Sequence, residues 1–166
     1  MKAELANVLS RMPSEAFAGD RVFFRHIQAQ KDLVYAIFEC QLTEAQQELV
    51  NPAGFSIGRA YLDPGSNFPC VICTTEGQPI GFIHFLRWLG QGSAVSCSFY
   101  IDSRHQGQGY GRDAARLAVK LLKTACPGER IKVSTVAANE KAQALYLSLG
   151  FQKLDEMDGD DLVFGL

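Results

Sequence analysis

The chain has 166 residues, of which 47% are hydrophobic, so it is long enough for one well-buried core and too short for two ordinary domains. Its formal net charge of −2 gives no electrostatic reason to bind nucleic acid or an anionic membrane. No apolar run approaches the length of a membrane span and no signal-peptide pattern opens the chain, so we expect a cytoplasmic protein.

The first half of the chain is predicted to alternate short strands and helices. Residues 1–20 carry no strong periodicity and are expected to be an N-terminal extension of the domain. Thr43 is expected to cap a helix that runs to Val50. The glycines and prolines of residues 52–69 predict a helix remnant followed by a mobile loop. The other predicted elements here are a strand at 21–28, a helix at about 31–41, and a hairpin of strands 70–75 and 79–86.

The second half is predicted to form strand, loop and helix, and then strand, helix and hairpin. Residues 93–101 alternate apolar and polar side chains, with Val95, Cys97, Phe99 and Ile101 on one face. The later elements are a helix that ends before Pro127, a strand at 131–136, a helix at 140–149 and a hairpin of 151–155 with 162–166. This order favours an α/β sandwich around a mixed sheet.

The cysteines indicate neither a disulfide framework nor a metal site. There are five, an odd number, so at least one thiol is expected to be free, as in a reducing compartment. Cys70-x-x-Cys73 lacks the second pair that a metal site would need, and in a strand the two side chains point to opposite faces. We therefore expect ordinary sheet cysteines and no metal.

The segment from Gln106 to Arg112 joins an apolar strand to an amphipathic helix. Without Cβ atoms at Gly107, Gly109 and Gly111, the backbone can adopt positive φ and turn its N–H groups toward one point. The N-terminus of the following helix adds a positive partial charge. This glycine segment is therefore predicted to hold an anion such as a diphosphate.

The spacing of the glycine segment excludes two common diphosphate sites. An ATP-binding P-loop requires Lys and Ser or Thr after its last glycine, whereas Gly111 is followed by Arg112 and Asp113. The NAD fingerprint requires a third glycine where Arg112 stands. The pattern that remains is Gln/Arg-x-x-Gly-x-Gly, which is matched by Gln106, Gly109 and Gly111.

A second motif lies downstream, where residues 139–151 match Asn-x-x-Ala-x-x-Leu-Tyr-x-x-x-Gly-Phe at every defined position. Together the two motifs resemble those of the GNAT family of N-acetyltransferases. A softer match at residues 42–50 and 55–57 resembles the spermine/spermidine (diamine) branch of that family. The resemblance covers residues 21–166, and its specific part runs from Phe99 to Phe151.

The resemblance implies one GNAT domain over residues 1–166, an α/β fold with a mixed, mostly antiparallel sheet between helical layers, and acetyl-CoA as co-substrate without a metal. In that family the strand that ends at Ile101 bulges open, so that its main chain pairs with pantetheine. The cofactor-binding residues implied are Phe99, Ile101, Gln106, Gly107, Gln108, Gly109, Gly111, Arg112, Asn139 and Tyr146.

Tyr146 is the catalytic residue that the resemblance implies. When an amine attacks the thioester, the departing thiolate needs a proton, and a phenol beside the sulfur can supply it as a general acid. Three residues also have plainer interpretations. Tyr146 could be core packing, Asn139 could be only a helix N-cap, and Arg112 could be a solvated residue of the first helical turn.

The acceptor is predicted to be a small molecule with a primary amine, most simply a polyamine or diamine that attacks acetyl-CoA directly. Glu39, Glu44 and Glu48 could attract such a cation, although a solvated helix face explains each of them better. Protein N-terminal or lysine acetylation and a non-catalytic acyl-CoA-binding module remain alternatives. A homodimer also remains open, because no residue specifies an interface.

Overall fold

The computed structural model describes residues 4–88 and 92–166, whose strands form one seven-stranded sheet. The strands follow the order β1-β2-β3-β4-β5-β7-β6 across it. Neighbouring strands are antiparallel except for β4 and β5, which are parallel. The predicted mixed, mostly antiparallel sheet is therefore confirmed. The strands are β1 (Val22–His26), β2 (Asn67–Thr74), β3 (Pro79–Arg87), β4 (Ala94–Ile101), β5 (Arg130–Thr135), β6 (Gln152–Asp158) and β7 (Asp161–Gly165).

Six α-helices are found in the described part of the chain. They are α1 (Leu5–Ser10), α2 (Gln30–Val34), α3 (Glu44–Gln47), α4 (Ala53–Leu62), α5 (Tyr110–Ala125) and α6 (Glu140–Ser148). Helix α2 continues directly into a π-helical turn at Tyr35–Glu39, and short 3-10 turns occupy Ser14–Phe17 and Ser103–His105.

Two apolar clusters, one on each face of the sheet, produce the layered architecture. On one face, α1 and α5 contribute Leu5, Leu9, Leu117 and Leu121 to the larger cluster. On the other face, the π-helical turn and α4 cover a smaller cluster that contains Val71, Cys73 and Phe82. The sheet therefore lies between helical layers, as predicted.

The N-terminal segment contributes directly to the core. Leu5 and Leu9 are fully buried, and the amide of Ala6 donates a hydrogen bond of 3.0 Å to the carbonyl of Gly65. The described residues 4–20 thus pack against the sheet, whereas residues 1–3 lie outside the described part. Two leucines four residues apart were a weak sequence signal for this helix.

Two helix predictions were wrong in their extent. Residues 52–69 do not form a loop after a helix remnant, because Ala53–Leu62 is a helix of ten residues and β2 already begins at Asn67. Gly54 and Gly58 each lower the stability of this helix by roughly 1 kcal/mol. Burial of Ala53 and Ser56 against the sheet offsets this loss. Thr43 caps α3 as predicted, and the structure adds a capping box with Gln46, but this helix ends at Gln47 rather than at Val50.

None of the five cysteines, all of which lie in the described residues, forms a disulfide. Cys70 belongs to the larger apolar cluster and Cys73 to the smaller one, which confirms that the two side chains of this pair lie on opposite faces of the sheet. Burial raises the pKa of both thiols. They are therefore protonated packing residues at neutral pH.

Candidate active site

The site begins where β4 and β5 separate. The two parallel strands pair only at Ala94 with Arg130 and at Val95 with Ile131, and no strand of the described residues pairs with the remainder of β4 on that side. The pairing of β4 with β3 runs from Arg87 opposite Val95 to Gly81 opposite Ile101 without a shift in register. The sheet is therefore opened by divergence of β5, not by a bulge in the pairing of β3 with β4.

The main chain at the end of β4 faces this opening. The carbonyl of Ala94 accepts from Trp88, and the amide of Asp102 donates to Ile80, so the even-numbered positions direct their main-chain groups toward β3. Successive residues of a strand direct these groups to opposite sides, so Phe99 and Ile101 direct theirs into the opening. An extended ligand could add there like a further strand.

The glycine segment has the conformation that its sequence predicts. Gly107 and Gly109 have φ values of +75° and +86°, in the left-handed region that favours glycine. Gly111 is instead the second residue of α5, which is 16 residues long and starts at Tyr110. The backbone thus turns sharply twice and then presents the N-terminus of a long helix to the opening.

Gln106 has a different environment from the one expected of a diphosphate ligand. Its side-chain amide donates a hydrogen bond of 2.7 Å to the carbonyl of Ile101, and its Oε1 accepts one of 2.6 Å from the side chain of Gln46. The side chain therefore joins the glycine segment to the end of β4 and to α3. Gln46, which sequence reasoning missed, is also the capping-box partner of Thr43.

Hydrogen bonds connect residues 35–41, which precede α3, to the residues that follow β4. Asp102 is fully buried and accepts hydrogen bonds from the guanidinium of Arg104 and from the Tyr35 hydroxyl. Burial alone would raise the pKa of Asp102, but the hydrogen bonds from Arg104 outweigh burial and lower it to about 2. The amide of Ser103 donates to the carbonyl of Gln41 at 2.7 Å. These contacts fix the residues of α3 beside the opening.

A cavity of about 610 Å³ follows the opening and the glycine segment, and we call it the donor cavity. It is lined by Phe99, Ile101, Gln106, Gly107, Gly109, Gly111, Arg112, Asn139 and Tyr146, so nine of the predicted cofactor-binding residues meet there. Gln108 is not among its lining residues. The ionisable side chains that line it in the described chain include Arg112 and Lys141 but no aspartate or glutamate, as suits an anionic ligand.

Asn139 is the N-cap of α6, and Tyr146 lies in the last turn of this helix. The Asn139 side chain accepts a hydrogen bond of 3.2 Å from the amide of Ala142, which confirms the predicted N-cap. Tyr146 is 8% exposed and packs against Phe151 and Phe164, with ring centres 5.6 Å and 6.3 Å away. Burial, with a smaller contribution from Cys97, raises the pKa of Tyr146, so its phenol keeps its proton at neutral pH.

A second cavity, of about 350 Å³, adjoins the first, and we call it the acceptor cavity. Phe99, Asn139 and Tyr146 line both cavities, so they stand at the boundary. The carboxylates of Glu48 and Asp161 line the acceptor cavity, and no lysine, arginine or histidine does so among the described residues. Burial, together with Asp158 and Asp160, raises the pKa of Asp161. Sequence reasoning missed Asp161, which carries no motif signal.

The three glutamates proposed for the acceptor do not act as a group. Glu48 lines the acceptor cavity, whereas Glu39 and Glu44 are exposed and line neither cavity. Two further side chains with reactive groups, His84 and Cys97, also line neither cavity. His84 is 1% exposed on β3, and Cys97 is buried on β4, where burial raises the pKa of its thiol to about 12. Neither side chain is placed for nucleophilic catalysis.

The family follows from comparison with known proteins. Residues 31–151 match the model of the acetyltransferase (GNAT) family. The chain belongs to this family. No curated protein sequence matches the chain at a significant level.

Several solved structures share the fold at low sequence identity. The ribosomal-protein-S5-alanine acetyltransferase of Vibrio fischeri is 19% identical with a TM-score of 0.61, over 90% of this chain and 94% of that one. FdhC, described as a nucleotide-linked sugar GNAT, is 15% identical with a TM-score of 0.65, over 89% and 86%. Mycobacterium smegmatis RimJ, in complex with CoA-disulfide, is 22% identical with a TM-score of 0.55, over 69% and 59%.

Membership of the GNAT family makes the protein an acetyl-CoA-dependent N-acetyltransferase. The residues present fit that co-substrate, because the donor cavity combines two left-handed glycines, a helix N-terminus and a strand edge that β5 leaves uncovered. Within residues 4–88 and 92–166, no helix is long and apolar enough to cross a membrane. In the same residues, no group of three or more His, Cys, Asp or Glu side chains is placed to hold a metal ion.

Proposed function

We propose that the acetyl acceptor is a small cationic amine, of which a diamine or polyamine is the simplest example. The observation that carries this proposal is the separation of charge between the two cavities. Cationic side chains line the donor cavity and carboxylates line the acceptor cavity, with Tyr146 at the boundary. An anionic donor and a cationic acceptor would thus approach Tyr146 from opposite sides.

Within this proposal the donor lies along β4 and the glycine segment. The amides of Gly107 and Gly109 and the N-terminus of α5 would hold the diphosphate, and the main chain of Phe99 would pair with the pantetheine arm. Gln106 contributes by holding the segment against Ile101 and Gln46. Arg112, which lines the donor cavity, adds a positive charge at its exposed end.

The chemical step is direct attack of the neutral amine on the acetyl carbonyl carbon. The new C–N bond forms and the C–S bond breaks, and Tyr146 gives its proton to the departing thiolate. The excess proton of the amine goes to a carboxylate, for which Asp161 is suited because its raised pKa makes it a stronger base than an ordinary aspartate. Glu48 is left to attract the second ammonium of a diamine.

The experiment is an acceptor panel, scored by release of free thiol from acetyl-CoA. The panel compares spermidine, a diamine, a monoamine of similar length, an aminoglycoside and peptides with free N-termini. We expect spermidine and the diamine to have the highest kcat/KM. A clear preference for peptides would instead support protein acetylation. If no acceptor causes release of thiol, the alternative of a non-catalytic acyl-CoA-binding module would be supported.

Variants connect the result to the acceptor cavity. Glu48→Gln should raise KM for spermidine several-fold and KM for the monoamine much less, because one exposed ion pair contributes roughly 1 kcal/mol. Added salt should reduce the difference. Glu44→Gln is the matched control, since Glu44 is nearby, exposed and outside the cavity. Equal effects of the two variants would remove Glu48 from the acceptor site.

A further inference from the structure

We infer that Arg21 positions the glycine segment for the cofactor diphosphate by fixing the orientation of the Gln108–Gly109 peptide. This inference rests on the proposed binding of the donor at that segment. Arg21 lies outside the donor cavity and outside both family motifs. It immediately precedes β1, at the opposite edge of the described sheet from β6.

Within the described residues, the guanidinium of Arg21 has three polar or ring contacts, with the glycine segment and the first turn of α5. Its Nη2 donates a hydrogen bond of 2.9 Å to the carbonyl of Gln108, and its Nη1 donates one of 2.8 Å to Asp113. Its central carbon lies 4.5 Å from the centre of the Tyr110 ring. One side chain from a distant part of the sequence thus holds consecutive parts of the turn.

The hydrogen bond to Gln108 determines where the next amide points. In a trans peptide the carbonyl of one residue and the N–H of the following residue point in opposite directions, and the described chain has no cis peptide bond. Because the Gln108 carbonyl is directed at Arg21, the N–H of Gly109 is directed away from it. Gly109 lines the donor cavity whereas Arg21 and Gln108 do not, so this amide is turned toward the cavity.

The ion pair between Arg21 and Asp113 makes a second, smaller contribution to diphosphate binding. A carboxylate in the first turn of α5 opposes an incoming diphosphate, and Arg21 compensates its charge. The two side chains are 47% and 28% exposed, so solvent screens the pair. We therefore infer that Arg21 favours diphosphate binding mainly by orienting the Gln108–Gly109 peptide. Compensation of the Asp113 charge makes the smaller contribution.

The first test is Arg21→Gln, with CoA affinity measured by isothermal titration and kinetics measured with acetyl-CoA. Loss of a hydrogen bond to a charged group should raise the Kd for CoA about tenfold, while kcat at saturating acetyl-CoA stays within about twofold. Arg116→Gln is the matched control, because it also removes one positive charge. Arg116 is exposed and lies one turn after Asp113 in α5. This control variant should leave the Kd nearly unchanged.

A truncated donor separates positioning from general damage. S-acetylpantetheine lacks the diphosphate, so Arg21→Gln should lower kcat/KM for acetyl-CoA but not for S-acetylpantetheine. Asp113→Asn should leave CoA affinity within about twofold of the original, since it retains the bond from Arg21 to Gln108.

Four results would overturn the inference. They are unchanged CoA affinity in Arg21→Gln, an equal loss in Arg116→Gln, an equal loss in Asp113→Asn, and an equal loss with S-acetylpantetheine. A protein that binds no CoA before any substitution would overturn the donor site itself. Failure of the donor site is thus distinguishable from failure of the inference about Arg21, because it is observed in the unsubstituted protein.

Discussion

Replacement of Gly109 by alanine separates the backbone requirement of the glycine segment from its role in binding. Gly109 has φ of +86°, and Gly77 in the turn between β2 and β3 has φ of +89°. An alanine at either position should cost about 1–2 kcal/mol, because the left-handed region is unfavourable for a residue with a Cβ. For a chain of this size, each kcal/mol lowers Tm by about 2–4 °C.

The two positions differ in what the new Cβ would meet. At Gly77 there is no atom within 4 Å, whereas at Gly109 the Nη1 of Arg21 lies at 3.0 Å. The new methyl group therefore displaces Arg21 before it affects any atom of the cavity wall. We expect Gly109→Ala to raise the Kd for CoA about tenfold by releasing the Gln108 carbonyl, and Gly77→Ala to leave it unchanged.

Thermal unfolding with and without CoA measures both effects. At a CoA concentration 100 times the original Kd, binding adds about 2.7 kcal/mol of stability, and a tenfold weaker variant gains only about 1.4 kcal/mol. Gly109→Ala should therefore show about half the stabilisation by CoA that Gly77→Ala shows, although both variants begin at a similarly lowered Tm. Equal stabilisation of the two variants would refute this account of the glycine segment.

Three further substitutions test other parts of the structure. Tyr146→Phe should lower kcat about 100-fold and leave the Kd for CoA nearly unchanged, since the ring remains and the proton is lost; unchanged turnover would remove Tyr146 from the chemistry. The carboxylate of Asp102, with its pKa lowered to about 2, should contribute on the order of 2 kcal/mol that is present above about pH 4 and lost as the pH falls to about 2. Asp102→Asn should remove that part of the pH dependence in urea unfolding, and an unaltered profile would contradict the assignment. Leu5→Ala should cost about 2–5 kcal/mol in the same assay, against less than about 0.5 kcal/mol for the half-exposed Leu147→Ala; similar costs would show that α1 is dispensable.

The sequence predicted those parts of the site that depend on neighbouring residues. The turns at Gly107 and Gly109 and the N-caps Thr43 and Asn139 all rest on local backbone preferences and hydrogen bonds, and the structure has each of them. Local sequence patterns did not predict the helices whose stability comes from tertiary packing. Helix α4 contains two glycines and depends on burial against the sheet, and α1 depends on its buried leucines.

The sequence by itself determined the family, the left-handed turns of the glycine segment and the position of Tyr146 on its helix, because each depends on consecutive residues. Only the tertiary structure decided which distant side chains complete the site. Arg21 reaches Gln108 across 87 positions of the chain, and Gln46 reaches Gln106 across 60. Asp161 joins Glu48 in the acceptor cavity while Glu39 and Glu44 stay outside. Such contacts follow from how the sheet opens and which faces the helices cover, and no local preference of the chain encodes them.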